Sequence, residues 1–85
     1  MNRLGFIILS ILWQGGATNR FSAMTVREIA LAEELGMKEN TIFKKVKDFE
    51  QSGYIECGLK EGRANTFFIT GDGIRYLEKE RGNKS

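Results

Sequence analysis

The apolar residues of this chain change period once, and that change decides most of what it can fold into. From Val26 to Phe49 they recur every three or four residues, and from Tyr54 to Ile69 they alternate. The first spacing suits helices that bury one face; the second suits strands. The helical stretch opens on a sharp start signal, Thr25-Val26-Arg27-Glu28. In such a capping box the Thr hydroxyl accepts from the Glu amide and the Glu carboxylate accepts from the Thr amide, with Met24 and Ile29 placed as a hydrophobic staple. A helix is expected over 26–35, with Val26, Ile29, Ala30 and Leu35 inward and Gly36 as its stop. A second is expected over 38–52. Ile42, Val46 and Phe49 form its inner stripe, with Phe43 on the shoulder. Asn40, Lys44, Asp48 and Gln51 point the other way, flanked by Thr41, Lys45 and Lys47. Lys38 is a poor N-cap for it, whereas Gly53 is a good C-terminal stop.

The remaining segments fit around this centre. Residues 4–13 read as a helix with apolar side chains on two faces. Leu4, Ile7, Ile8, Ile11 and Leu12 make one; Phe6, Leu9 and Trp13 make another, nearly opposite. A helix this apolar is buried on two sides. A loop follows over 14–20, and 21–24 can be extended as a short strand. Residues 54–59 and 64–69 form a hairpin with 60–63 as its turn, placing Ile55, Cys57 and Leu59 on the inner side of the first strand. A buried Cys57 without a nearby cation would be inert packing. Thr70 caps a last helix, with Asp72 in its first turn and Ile74 and Leu77 inward. Residues 81–85 are expected to fray. The result is one domain over residues 1–85, mainly α with a small antiparallel hairpin.

Composition narrows the chemistry. With no His, the chain has neither Ser-His-Asp nor Cys-His catalytic pairs. One Cys leaves no internal disulfide and no multi-thiolate metal site. The 10 Gly form neither GxGxxG nor GxxxxGK[ST], so no phosphate-cradling loop is present. No cofactor and no metal are expected, and a binding module is favoured over an enzyme. The apolar run after Arg3 imitates a signal peptide but has a weak cleavage site. It is also far short of the roughly 20 residues that span a bilayer. A cytoplasmic protein without a membrane partner is the expectation.

Two helices joined by a short Gly-containing turn make a helix-turn-helix unit. The stretch Val26-Arg27-Glu28-Ile29-Ala30, Leu35-Gly36-Met37, Asn40-Thr41-Ile42, Val46, Phe49 to Ile55 and Phe68 to Gly73 resembles the winged helix-turn-helix transcriptional regulators, MarR-like and PadR-like in style. The resemblance covers about residues 21–77. It implies that the helix from Lys38 lies in the DNA major groove and that the hairpin is a wing against backbone or minor groove. The chemistry agrees. Asn can pair with adenine and Lys with guanine acceptors in the major groove, and Asn40, Thr41, Lys44 and Lys45 lie in the first two turns. Lys38 stands at the helix start, while Lys47, Lys60 and Arg63 suit phosphates, which position without reading sequence.

The charge is less decisive. The whole chain carries +2. Residues 38–63 hold six Lys/Arg against five Asp/Glu, a net of +1, and Asp48 can pair with Lys44 one turn earlier. The function expected is sequence-specific binding of double-stranded DNA in transcription, as a homodimer through Phe6, Leu9 and Trp13. The alternative for that stripe is plain core beneath the last helix. The alternatives for the whole chain are a winged-helix protein-interaction or assembly module, or a DNA binder of replication or of a mobile element.

Overall fold

The structure is a computed structural model that describes residues 2–32 and 36–82. Among the described residues four helices and three short strands run in the order α1 (Arg3–Gln14), β1 (Met24–Thr25), α2 (Val26–Ala32), α3 (Glu39–Gln51), β2 (Ile55–Cys57), β3 (Thr66–Ile69) and α4 (Gly71–Gly82). The strands form one antiparallel sheet in the order β1-β3-β2.

Local chemistry sets most of the boundaries. Asn2 caps α1, its side-chain oxygen accepting from the Gly5 amide at 2.8 Å. The capping box of α2 is formed as read: Thr25 N–H donates to Glu28 Oε1 at 2.9 Å, and Glu28 N–H donates to Thr25 Oγ1 at 3.1 Å. Leu35, expected inward on α2, lies outside the described residues. Lys38 is the N-cap of α3 and makes no side-chain cap bond, as its chemistry requires. At the other end of α3, Gly53 adopts φ +84°. Tyr54 N–H reaches Phe49 O at 2.9 Å and Gly53 N–H reaches Glu50 O at 3.1 Å, the paired bonds of a Schellman stop. Thr70 Oγ1 accepts from the Gly73 amide at 3.0 Å and donates to Gly53 O at 2.6 Å, so one hydroxyl caps α4 and ties it to the end of α3.

The inner stripes meet in one core. Ile29 of α2, Ile42, Val46 and Phe49 of α3, Ile55, Phe67 and Ile69 of the sheet, and Leu77 of α4 are all buried there. So are Ile8, Leu9, Ile11 and Leu12 of α1, which packs against α2, α3, β3 and α4. Leu9 therefore departs from the expected outer stripe. It is fully enclosed, at 0% exposure, because α4 closes over α1 from the side that a lone helix leaves open. Phe6 is half-buried and Trp13 keeps 37% of its surface.

The hairpin is less regular than alternation implied. Cys57 faces Phe67, and a further bridge joins Glu61 to Ala64 across a turn made by Gly62 and Arg63. Three residues, 58–60, therefore stand against two, 65 and 66. That is a β-bulge, which bends the wing and leaves residues of one strand unpaired. Cys57 departs from expectation too: it is exposed. β2 is an edge strand, and only Ile55 of its three residues is buried. Cys57 meets polar side chains of α3 rather than its apolar stripe.

Candidate nucleic-acid interface

α2 packs against α3, and the core stripe of α3 fixes which of its side chains face outward. Asn40, Thr41 and Lys44 are exposed on the first two turns, with Lys38 exposed at the start. Lys60 and Arg63 are exposed on the wing, Arg63 within the tip turn. A polar helix face beside a hairpin carrying cations is thus present as read. The structure separates Lys45 and Lys47 from this group. Lys45 is half-buried along the flank of α3 toward α1, its Nζ 5.0 Å from the centre of the Phe49 ring. Lys47 leans the other way, toward the wing, 5.9 Å from the Phe43 ring centre. Its ammonium sits 2.5 Å from Glu50 Oε1.

Glu50 joins two partners. Its other oxygen accepts from the Cys57 thiol at 2.9 Å. The hydrogen bonds from Cys57 and from Lys47 hold its carboxyl below the ordinary Glu value. The hydrogen bond to Glu50 holds Lys47 above the ordinary Lys value. Partial burial, then the hydrogen bond to Glu50, push the Cys57 thiol up. Cys57, Glu50 and Lys47 form a chain from the base of the wing to the flank of α3. The ion pair expected between Lys44 and Asp48 is not formed; among the described residues an ion pair on this helix joins positions three apart, Lys47 and Glu50.

A cleft of about 490 Å³ opens between the starts of α2 and α3 and the wing. Arg27 and Asn65 line it, together with Glu39, Glu61 and the rim of Phe43. Arg27, Glu39 and Asn65 were not among the site residues expected from sequence. The signal for Arg27 was its place in the capping box, one residue before Glu28. With three carboxylates, Glu28, Glu39 and Glu61, lining it beside one guanidinium, the cleft disfavours phosphate, and the exposed cations lie on α3 and the wing tip rather than in the space between them. Among the described residues no cluster of His, Cys, Asp or Glu could hold a metal ion, and no helix is long and apolar enough to cross a membrane.

No protein-family model matches the sequence. The chain is 28% identical over 78 residues to the DNA-binding protein TubR of a Clostridium botulinum C phage, covering 92% of this chain and 94% of that protein. Among solved structures it is similar to TubR from Bacillus megaterium pBM400, with a TM-score of 0.79 at 21% identity, over 94% of this chain and 86% of that one. The solution structure of the DNA-binding TubR fragment from Clostridium botulinum gives a TM-score of 0.73 at 25% identity, over 93% and 95%. A MarR-family transcriptional regulator from Rhodococcus gives 0.78 at 16% identity, over 96% of this chain but 54% of that one.

Proposed function

We propose that this chain, which has the winged helix-turn-helix fold shared by the MarR-type regulators and TubR, binds double-stranded DNA sequence-specifically and regulates transcription. The observation that carries the reading is the exposed row Asn40, Thr41 and Lys44 on α3, set beside a wing that presents Lys60 and Arg63. A major groove admits one helix, whose first turns reach base edges. Asn40 and Lys44 are the readers. Lys38, Lys60 and Arg63 position the protein on phosphates; Thr41 and Lys45 border the reading face. Lys47 contributes least, its charge being already engaged by Glu50. The work is binding, not catalysis, and its place is the cytoplasm.

The protein acts as a homodimer. Trp13 at 37% exposure, with half-buried Phe6 and Ile7 of α1 and Ile74 and Tyr76 of α4, leaves an apolar strip on the α1–α4 side. A two-fold contact there would cover the strip and set two α3 helices to read half-sites about one DNA turn apart. Leu9 stays out of that contact, since it already belongs to the core.

The test is a selection of bound duplexes from a random pool, followed by salt titration. Asn40→Ala is expected to relax preference at one base position, at a cost of about 1–3 kcal/mol if the contact is bidentate. Lys44→Ala should relax preference at a neighbouring position. If both variants keep the wild-type affinity and preference, α3 is not in the groove. The acid-lined cleft and the neutralised Lys47 favour a second reading, a protein-interaction module. That module would show no salt-sensitive retention on duplex DNA, whereas counterion release makes DNA binding fall steeply with salt.

A further inference from the structure

The connection between α1 and β1 is built, not slack. Ala17 is fully buried, and its carbonyl accepts from Ile69 N–H at 2.9 Å. Asn19 Oδ1 accepts from the amides of Phe21 and Ser22 at 2.8 and 3.1 Å, and Ser22 Oγ accepts from Thr18 N–H at 3.3 Å. Such side-chain turns fix a loop locally. The tip then reaches the wing, where Leu59 N–H donates to Arg20 O at 3.1 Å. The approach is close enough to demand glycine at position 58. A Cβ there would lie 2.8 Å from both Arg20 O and Thr66 Oγ1 and would collide with Ala23 Cβ. Thr66 Oγ1 in turn donates to Leu59 O at 2.5 Å. The bulge at 58–60 is thus the point where the wing, still tied to Thr66 of β3, also docks on this loop.

That docking puts the Arg20 backbone beside the wing segment that carries Lys60. Its backbone is bonded to Leu59, the neighbour of Lys60, and its guanidinium lies 5.1 Å from the centre of the Phe21 ring. Phe21 is itself 74% exposed, an aromatic shelf in solvent with a cation over it. Among the described residues no carboxylate pairs with Arg20. A planar, always charged fork on a fixed backbone is suited to a phosphate, and pre-organisation lowers the entropy lost on binding.

We propose that the loop over 17–23 is a second DNA-contacting element, in which Arg20 takes a backbone phosphate next to those held by Lys60 and Arg63. The proposal rests on the DNA-binding reading above. Its test uses the full chain, a selected duplex and an unrelated duplex, with fluorescence anisotropy between 50 and 200 mM salt. Arg20→Gln is expected to lower the salt slope by about 0.9, the value of one phosphate contact, on both duplexes alike. Arg20→Lys keeps most of the slope. Circular dichroism confirms that both variants fold. A wild-type slope in Arg20→Gln overturns the proposal, and so does a loss confined to the selected duplex, which would make Arg20 a base reader. Salt-insensitive or absent binding by the wild type overturns the DNA-binding reading itself and this proposal with it.

Discussion

Removing the charge of Glu50 should make the protein bind DNA more tightly and with a steeper dependence on salt. Lys47 lies on the wing-facing flank of α3, and its ammonium is 2.5 Å from Glu50 Oε1. An ammonium held this closely by a carboxylate is a poor counterion for phosphate. In Glu50→Gln the partner becomes neutral and Lys47 is free to take one. Each phosphate contact adds about 0.9 to the slope of log K against log salt, so over the fourfold range from 50 to 200 mM the variant should lose about 3.5-fold more affinity than wild type. The gain shows at the low-salt end, on specific and unrelated duplexes alike. Lys47→Ala closes a double-mutant cycle: nearly silent in the wild type, it should cancel the gain in the Glu50→Gln background. Surface ion pairs add little stability, so the variant stays folded, which circular dichroism checks. An unchanged slope in Glu50→Gln, or the loss of a full contact on Lys47→Ala alone, refutes the reasoning.

Further outcomes follow from other contacts. Thr25→Ala removes the acceptor for the Glu28 amide at the start of α2 and should cost about 1 kcal/mol; for a domain of this size that lowers Tm by about 4–8 °C, and an unshifted melting curve would count against the cap. Cys57 is exposed but its thiol is pushed up by partial burial and by Glu50, so alkylation by iodoacetamide should need a higher pH than an unstructured thiol, and Glu50→Gln should bring that pH part of the way down. Because the folded thiol holds its proton longer than the unfolded one, its contribution to stability is complete below the unfolded pKa and is lost as pH rises through the folded one. Trp13→Glu should give a folded monomer that binds DNA weakly, read by sedimentation; a wild type that is monomeric at high micromolar concentration removes the dimer.

The features legible in the sequence were those decided within a few residues. The Thr25–Glu28 box, the Gly53 stop and the Thr70 cap each close a bond inside one turn or at its edge, and all three are formed. The stripe of Ile42, Val46 and Phe49 follows from helical period alone, and it fixes the outward face of α3 by exclusion. What could not be read depends on a partner far along the chain. A helical wheel placed Leu9 on a second face but could not say that α4 would cover it. Alternation placed Cys57 on the side of Ile55 but could not say that the strand is an edge, or that Lys47 and Glu50 would be its neighbours.

The wing makes the same point in reverse. Its bulge has no local cause: Gly58 N–H still donates to Thr66 O of β3, but Leu59 N–H turns to Arg20 O in the loop before β1. The near-neutral charge of residues 38–63 then reads differently in three dimensions. Glu50 is spent on Lys47 and Cys57, while Glu39 and Glu61 turn into the cleft between α3 and the wing. Lys38, Lys44, Lys60 and Arg63 remain exposed, and the loop adds Arg20 from outside that stretch. Sequence counts the charges of both signs together; the fold engages or turns aside three of these five carboxylates, while Asp48 and Glu56 stay exposed. A weakly charged chain can in this way present a cationic track to DNA.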